Sequence, residues 1–275
     1  MKYTLQAIAY TVKNFIFLLP FVVLPALFLS ASTDQEAIFC LIETLFSGKP
    51  SGLHFQHVFH GISILNFSSW GATFSGLLAV VSTVLCAAVL MAMLEKHMRI
   101  GKRTFNGIFS KLNDNLLPTC GYVLLLLIIY EIWTLLTAAL VYALSLIPFV
   151  ALAYVLMGVA YLAMHVFLLY AVGLIYLWLP CMQLTGFKAA DALYYSYQIS
   201  ETSKWHILLG QLFSLLVVEA AIFVFALYAQ NSVVFTVLTA VFYGIVMMIY
   251  CVRMQVAYFD LDNIERADLT YYYQR

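Results

Sequence analysis

The chain has 275 residues, of which 64% are hydrophobic and 9% are charged. Soluble domains carry about 25% charged residues, so this composition excludes an ordinary soluble protein and predicts an integral membrane protein. Thirteen Lys and Arg balance thirteen Asp and Glu, and this balance gives no indication of a nucleic-acid partner. The five cysteines are scattered without a CxxC spacing, so we interpret them as packing residues.

Six apolar segments are long enough to cross a bilayer, which requires about 20 apolar residues in a helix. We therefore predict an all-α, polytopic transmembrane domain with six spanning helices arranged as three hairpins. The first apolar segment also resembles a signal peptide, but Pro20 and Pro25 favour a kinked spanning helix. The predicted spans cover residues 15–31, 70–93, 116–147, 149–179, 205–230 and 232–253.

An amphipathic segment precedes each odd-numbered span, over residues 1–15, 94–115 and 185–202. Each has apolar side chains at helical spacing on one face, which is typical of a helix lying in the membrane interface. The order of surface helix, span, turn and span thus occurs three times. The three apolar faces consist of Leu5, Ile8, Val12 and Phe15, of Phe105, Ile108, Phe109 and Leu112, and of Phe187, Ala190, Tyr194 and Tyr197.

The longest polar connection, residues 33–69, lies between the first two spans. Thr33 and Glu36 form a capping box, which predicts that a helix begins there. A second short helix is predicted within residues 54–65. Together these helices should form a helical cap on the extracytoplasmic side.

The basic residues are distributed unevenly between the two sides of the predicted bundle. Twelve Lys and Arg lie on the side of both termini, and Lys49 alone lies on the other side. Because basic loops stay on the cytoplasmic side, we predict cytoplasmic termini, including a tail over residues 254–275. The localisation that follows is a multi-pass protein of the cell membrane.

Three ionisable residues are predicted near the middle of the membrane. Glu131 and Glu219 each lie roughly 20 Å along a span from its cytoplasmic end, and His165 reaches a similar depth from the other side. An unpaired charge at that depth costs at least ~2.5 kcal/mol, so we expect these groups to form a buried polar cluster. The cluster could relay protons or cations or anchor a ligand; alternatively, neutral glutamates could hydrogen-bond neighbouring helices together.

The outer segment also contains a HxxHxxH pattern, formed by His54, His57 and His60. Three imidazoles could bind zinc, but these positions spread over about 120° of a helix, and no Cys or carboxylate nearby completes a usual ligand set. We therefore favour interfacial histidines in the cap, with metal binding as the alternative.

No motif for an ATPase, serine hydrolase, metalloprotease or dinucleotide enzyme is present in the sequence, and we predict no cofactor. An intramembrane enzyme using His165 with one glutamate is a third class of function, but the sequence places no nucleophile or metal set beside them. Such an enzyme would need His165 within hydrogen-bond reach of a glutamate inside a pocket.

The run LWLPCMQLTGFKAADALYYSYQIS and the later run VAYFDL resemble bacterial six-helix membrane proteins related to the membrane domain of glycerophosphodiester phosphodiesterases. In that group a short cytoplasmic helix with Ala-Leu and Ser follows a proline-ended helix, and the last span ends in a Tyr-Tyr-Asp-Leu-like motif. Phe259 stands where the group tends to have Tyr. The resemblance covers the C-terminal third by motif and the remainder by topology. It implies the fold and a bacterial cytoplasmic membrane, and it implies no activity. The matching positions are Pro180, Ala192, Leu193, Ser196, Tyr258, Asp260 and Leu261.

Our first functional hypothesis is a non-enzymatic protein that acts as an accessory or scaffold component, or binds lipid, through its cytoplasmic surface helices. Its partners would be membrane lipids, and a partner protein could dock on the same helices. The alternative is a transporter or permease component for a lipid or small solute, with Glu131 and Glu219 lining the path. That alternative requires a water-accessible cavity at one of these acids.

Overall fold

The computed structural model describes residues 2–103, 107–229 and 231–269 of the chain. Within these ranges the secondary structure is helical, with short loops and no strand. The α-helices are α1 (Lys2–Lys13), α2 (Phe15–Leu18), α3 (Val23–Ser32), α4 (Gln35–Phe46), α5 (Phe55–Ile62), α6 (Trp70–Ile100), α7 (Ile108–Ser145), α8 (Val150–Ile175), α9 (Trp178–Thr185), α10 (Ala189–Glu201), α11 (Lys204–Tyr228) and α12 (Ser232–Leu261).

Five helical segments in the described ranges are long and apolar enough to cross a membrane. A sixth candidate is the pair Phe15–Phe21 and Val23–Ser32, which is bent by 55°. The bend follows a 3-10 turn containing Pro20, which has no backbone N–H to donate within a helix. The prediction of an all-helical, multi-pass membrane protein is thereby confirmed. The five segments are Trp70–Ile100, Leu112–Ser145, Val150–Thr185, Lys204–Tyr228 and Ser232–Leu261.

The six long or bent segments pack as a closed ring. Neighbours in the ring are also neighbours in the chain, from α3 through α6, α7, α8 and α11 to α12. The ring closes because α3 packs tightly against α12 as well as against α6. Each segment therefore buries one stripe against two neighbours and leaves the opposite stripe exposed, as expected for helices surrounded by lipid.

One end of the ring carries α1, the α6–α7 connection, α10 and the C-terminal end of α12, and we call it the basic end. Lys2 Nζ lies 2.9 Å from the Asp260 carboxylate, which joins α1 to α12. Tyr195 donates a hydrogen bond to Asp262, which joins α10 to the residues after α12. The opposite end carries α4 and α5, and we call it the cap end. By the distribution of Lys and Arg, the basic end is the predicted cytoplasmic side.

In the described residues 94–103 and 107–115, the predicted surface helix is not a separate element. Residues 94–100 continue α6, and α7 begins at Ile108 and runs without a break into its span. Gly101 ends α6 with φ +72, a left-handed conformation that glycine adopts without a steric penalty. A helix satisfies its own backbone hydrogen bonds, so it can extend past the hydrocarbon without needing the surface for support. The predicted Phe105 lies outside the described residues.

The C-terminal end of α12 also differs from the predicted boundary. The last span was predicted to stop at Arg253, but α12 continues to Leu261. The chain from Cys251 to Phe259 is buried among neighbouring helices, which explains why the helix extends past its first basic residue. Residues 270–275 of the predicted tail lie outside the described ranges.

The cap helices α4 and α5 pack into the half of the ring at the cap end. Ile38 and Ile42 of α4 join Phe235 of α12 in one apolar cluster. Val58 of α5 joins Met157 of α8 in another. The helix start predicted at Thr33 is one residue early, because Asp34 is the residue whose side chain accepts the hydrogen bond from the backbone N–H of Ala37.

Candidate functional site

The mid-membrane histidine is paired with one of the two predicted acids. His165 Nε2 lies 2.8 Å from Glu219 Oε1, joining α8 to α11. His165 Nδ1 lies 2.9 Å from the backbone oxygen of Tyr161. The imidazole is fully buried, and the Trp133 and Tyr161 rings pack edge-on against it at centroid distances of 5.1 and 4.4 Å. His165 was predicted to lie at the same depth as the glutamates, and in the structure it contacts Glu219 directly.

The two contacts of the imidazole define where its protons lie. The Tyr161 carbonyl can only accept, so His165 Nδ1 carries a hydrogen and donates it. Nε2 and the Glu219 carboxyl then share one further proton, which lies on the nitrogen or on the oxygen. In either position the pair is electrically neutral as a unit.

Glu131 has different partners, all from the loop between α5 and α6. Its Oε1 accepts hydrogen bonds from the backbone N–H groups of Ile64 and Leu65, each at 3.0 Å. Its Oε2 accepts from the Ser63 hydroxyl at 2.7 Å. A carboxylate that accepts from three donors is well satisfied in its ionised form. Glu131 therefore anchors the loop that follows the cap helices, in addition to lying on a spanning helix.

The predicted three-residue cluster is thus two separate arrangements within the described part of the chain. No hydrogen bond joins Glu131 to the pair formed by His165 and Glu219. Trp133, two residues after Glu131 on α7, donates to the Met164 backbone oxygen at 2.7 Å and packs on the His165 ring. The position of each residue along its predicted span could not separate the two sites, because it does not show that the loop between α5 and α6 contacts Glu131.

Two surface cavities lie at opposite ends of the ring, and neither is lined by Glu131, His165 or Glu219. The cavity at the cap end is lined by residues around His54, His57 and Tyr142. The cavity at the basic end is a narrow groove between α8, α10 and α11. Neither cavity therefore supports a transport path along the mid-membrane acids. The enzyme hypothesis required a hydrogen bond between His165 and a glutamate inside a pocket; the hydrogen bond is present, but neither cavity contains it.

The three histidines of the cap do not converge. His54 precedes α5, and its ring meets that of His57 edge-on at 5.4 Å. His60 lies on α5 with its ring against Phe59, and its Nδ1 is buried without a hydrogen-bond partner. Among the described residues, no group of three or more His, Cys, Asp or Glu side chains is arranged to hold a metal ion.

The residues that suggested a family resemblance meet at the basic end. Pro180, Ala192, Ser196 and Tyr258 are buried where α9, α10 and α12 pack together. Leu261 packs against the same core, whereas Leu193 is 37% exposed. Asp260 accepts from the Tyr3 hydroxyl at 3.0 Å and from Lys2, and this hydrogen bond raises the pKa of Lys2. These positions thus fasten the surface helices to the end of the last span.

The burial of Arg253 was not predicted from the sequence, in which it was counted among the basic residues of the cytoplasmic side. The side chain is 4% exposed. Its Nη1 donates to the Gly210 backbone oxygen at 2.7 Å and to Ser214 Oγ at 2.8 Å, and its Nε donates to the Tyr176 hydroxyl at 3.0 Å. The Tyr250 ring lies 5.8 Å from the guanidinium carbon. The apolar run that continues past Arg253 was the sequence signal for this burial.

Helix α1 packs against the bundle through one face and exposes the other. Tyr3, Ala7 and Tyr10 lie on the buried face, against α11 and α12. Leu5 and Val12, predicted to face lipid, are 66% and 72% exposed. Aliphatic side chains exposed along one helix face at the predicted interface level match the predicted surface helix.

Helix α10, at the same end of the protein, repeats this arrangement. It packs through a stripe of small residues, Ala192, Ser196 and Ser200, which lets its backbone approach α8 and α9 closely. Its outer face exposes Tyr194 at 67%, and the predicted positions Phe187 and Tyr197 are also exposed. Two amphipathic helices therefore present apolar faces at one end of the protein.

No protein-family model, curated protein or solved structure matches the chain. The family resemblance of the C-terminal third therefore stays a prediction, and the function of this all-helical, multi-pass membrane protein is argued from its geometry.

Proposed function

We propose that this protein is a non-enzymatic membrane protein that binds phospholipids of one leaflet through α1 and α10, and that it acts there as an accessory or scaffold component. The main observation in support of this proposal is that α1 and α10 pack on the bundle at the basic end and expose apolar faces there. Leu5 and Val12 of α1 and Tyr194 of α10 are each more than 60% exposed. Exposed apolar side chains along a surface helix gain about 1.5–3 kcal/mol each when lipid covers them.

The positive charge of the lysines at the basic end also supports binding to an anionic lipid surface. Lys13, Lys102, Lys188 and Lys204 belong to the ends or connections of the helices that form the basic end. Each Lys or Arg close to an anionic leaflet contributes about 1 kcal/mol of attraction. This arrangement favours the cytoplasmic leaflet of a bacterial membrane, in keeping with the uneven distribution of basic residues and with the family resemblance.

The partners of the mid-membrane acids also favour this proposal over transport. Glu131 is engaged by three donors of a loop, and Glu219 is engaged by His165. Intramembrane polar groups of this kind hold helices together without any ligand. A solute path along them would break contacts that position the cap, so we expect neutral replacements at both acids to leave lipid binding intact.

The test is to purify the protein from its membrane in mild detergent and to count the retained phospholipids by native mass spectrometry. We expect the wild-type protein to retain several phospholipids. The triple variant L5Q/V12Q/Y194Q should retain fewer, because its two surface helices lose their apolar faces. Phe46→Gln is the matched control, since Phe46 is 85% exposed at the cap end.

Two outcomes would contradict the proposal. One is a wild-type protein that retains no phospholipid. The other is an equal loss of lipid in the triple variant and in Phe46→Gln, since that result would assign the effect to exposed apolar area in general. A stoichiometric partner protein bound without lipid would instead assign the two helix faces to protein docking.

A further inference from the structure

The groove at the basic end combines an apolar floor with two opposite charges. It opens between α8, α10 and α11, at the level where α10 ends and α11 begins. The floor is formed by Gly173, Leu174, Ile207 and Leu208, and the rim carries Glu201 and Lys204. A groove with this composition suits a molecule that is apolar on one side and carries both charges on the other.

The two rim charges are not used within the protein. Neither Glu201 nor Lys204 takes part in an ion pair or a hydrogen bond with any residue that the structure describes. Lys204 Nζ lies 4.8 Å from the centroid of the Tyr170 ring, and this cation–π contact holds the ammonium at the groove. A cation and an anion that flank one groove without neutralising each other are available to a ligand.

The floor of the groove is defined by a close helix contact. A Cβ atom added at Gly173 would lie 2.8 Å from Leu208 Cδ2, so a larger residue there would displace the Leu208 side chain. The groove is therefore shallow and apolar at its base, so a ligand would lie along its surface. Trp205 is 74% exposed beside the groove, as is typical of a residue at the membrane interface.

We infer that this groove binds the headgroup of one glycerophospholipid that carries a primary amine. Lys204 binds the phosphate, Glu201 accepts hydrogen bonds from the ammonium group, and the glycerol end lies on the apolar floor. The inference rests on the proposed lipid-binding function and adds the class of lipid. A phosphodiester and a primary ammonium are both needed, because either one alone would leave one of the rim charges unpaired.

The order of the two charges agrees with the order of groups in such a lipid. The phosphate is attached to glycerol and lies deeper, and the amine lies at the outer tip. Lys204 is half-buried at the groove, whereas Glu201 is exposed. A choline headgroup lacks N–H donors for Glu201, and a glycerol headgroup lacks the positive charge, so both should bind more weakly.

The experiment measures headgroup preference with the full-length protein in mild detergent. Equal amounts of phosphatidylethanolamine, phosphatidylcholine and phosphatidylglycerol are added, and bound lipids are counted by native mass spectrometry. We expect wild type to prefer phosphatidylethanolamine by about fivefold, which corresponds to about 1 kcal/mol for one partly exposed charge contact. Glu201→Gln should abolish that preference, and Lys204→Gln should lower the binding of all three lipids.

Two control variants test whether the headgroup preference depends on the position of the rim charges. Glu43→Gln removes an exposed acid at the cap end and should leave the preference unchanged. The swapped variant E201K/K204E keeps the net charge but places the acid beside the phosphate, so the preference should not return. Because Glu201 is exposed, its replacement does not threaten folding.

The outcomes separate this inference from the proposed function. Retention of phospholipid without a preference for the amine headgroup, or a preference that survives Glu201→Gln, overturns the groove assignment alone. A wild-type protein that retains no phospholipid overturns both.

Discussion

At the scale of single residues, the ionisable groups Glu131, His165 and Glu219 inside the predicted membrane spans each have a hydrogen-bond partner. Glu219 and His165 share one proton and are neutral together, which avoids the cost of a charge in hydrocarbon. Glu131 remains among N–H and O–H donors that suit a carboxylate. Two glutamates on different spanning helices, Glu131 on α7 and Glu219 on α11, thus take different roles because their partners differ.

Replacement of Glu219 tests the shared proton. In Glu219→Leu the buried Nε2 of His165 loses its partner, and we expect a loss of about 1–3 kcal/mol in stability. Glu219→Gln should be close to wild type, because its amide N–H can donate to Nε2 of a neutral imidazole. Thermal unfolding in detergent micelles measures both variants. Equal stability of Glu219→Leu and wild type would show that the pair does not stabilise the bundle.

Replacement of Glu131 tests the anchoring of the loop after α5. In Glu131→Leu the amides of Ile64 and Leu65 lose their acceptor, and their hydrogen exchange should become at least about tenfold faster. Ser63→Ala is the control, since it removes the hydroxyl contact and keeps both amide bonds. Exchange followed by mass spectrometry reports on this peptide. Unchanged protection in Glu131→Leu would contradict the role of the carboxylate.

At the scale of elements, α10 is held by a small-residue stripe and by one hydrogen bond to the end of the last span. The Tyr195 hydroxyl donates to Asp262, and mainly for this reason the pKa of Tyr195 is raised from 10.0 to about 12. Loss of the phenolic proton would replace an attraction with repulsion between two anions. The position of α10, and with it the lipid-binding face, therefore depends on a neutral tyrosine.

The alkaline behaviour of Tyr195→Phe tests this dependence. Because the folded pKa is raised, the contribution of Tyr195 is complete below pH 10 and is lost as the pH rises to about 12. At neutral pH we expect Tyr195→Phe to be less stable than wild type by about 1 kcal/mol, since the side chain is partly exposed. The difference in unfolding temperature should shrink toward zero over that window. A difference that stays constant to pH 12 would rule out the hydrogen bond as its source.

At the scale of the whole molecule, the chain forms a ring in which the first and last spans are neighbours. Helix α3 is short and bent away from α2, and it packs against both α6 and α12. The cap helices occupy one end of the ring, so the two ends of the protein differ. One end presents surface helices and basic residues, and the other presents α4 and α5. This asymmetry predicts one fixed orientation in the membrane.

Thiol labelling tests that orientation. In a background with the five native cysteines replaced by Ala, single cysteines are introduced at Lys49 and at Lys102, which are exposed at opposite ends. A membrane-impermeant reagent should label Lys49→Cys in intact cells and Lys102→Cys only after permeabilisation. The reverse pattern would place the basic end outside and would remove the charge argument for a cytoplasmic leaflet.

The sequence by itself determined the helical class, the multi-pass character and the exposed apolar faces of α1 and α10. These properties follow from local hydrophobicity and helical periodicity, because lipid and interface act on each segment separately. Only the tertiary structure decided that Glu219 pairs with His165, that Glu131 binds a loop and that Arg253 is buried. It also decided that residues 94–100 continue α6 and residues 108–115 begin α7. Those features depend on which segments pack together in the ring. The helical periodicity of the sequence and the position of a residue along its span do not show which helices are neighbours.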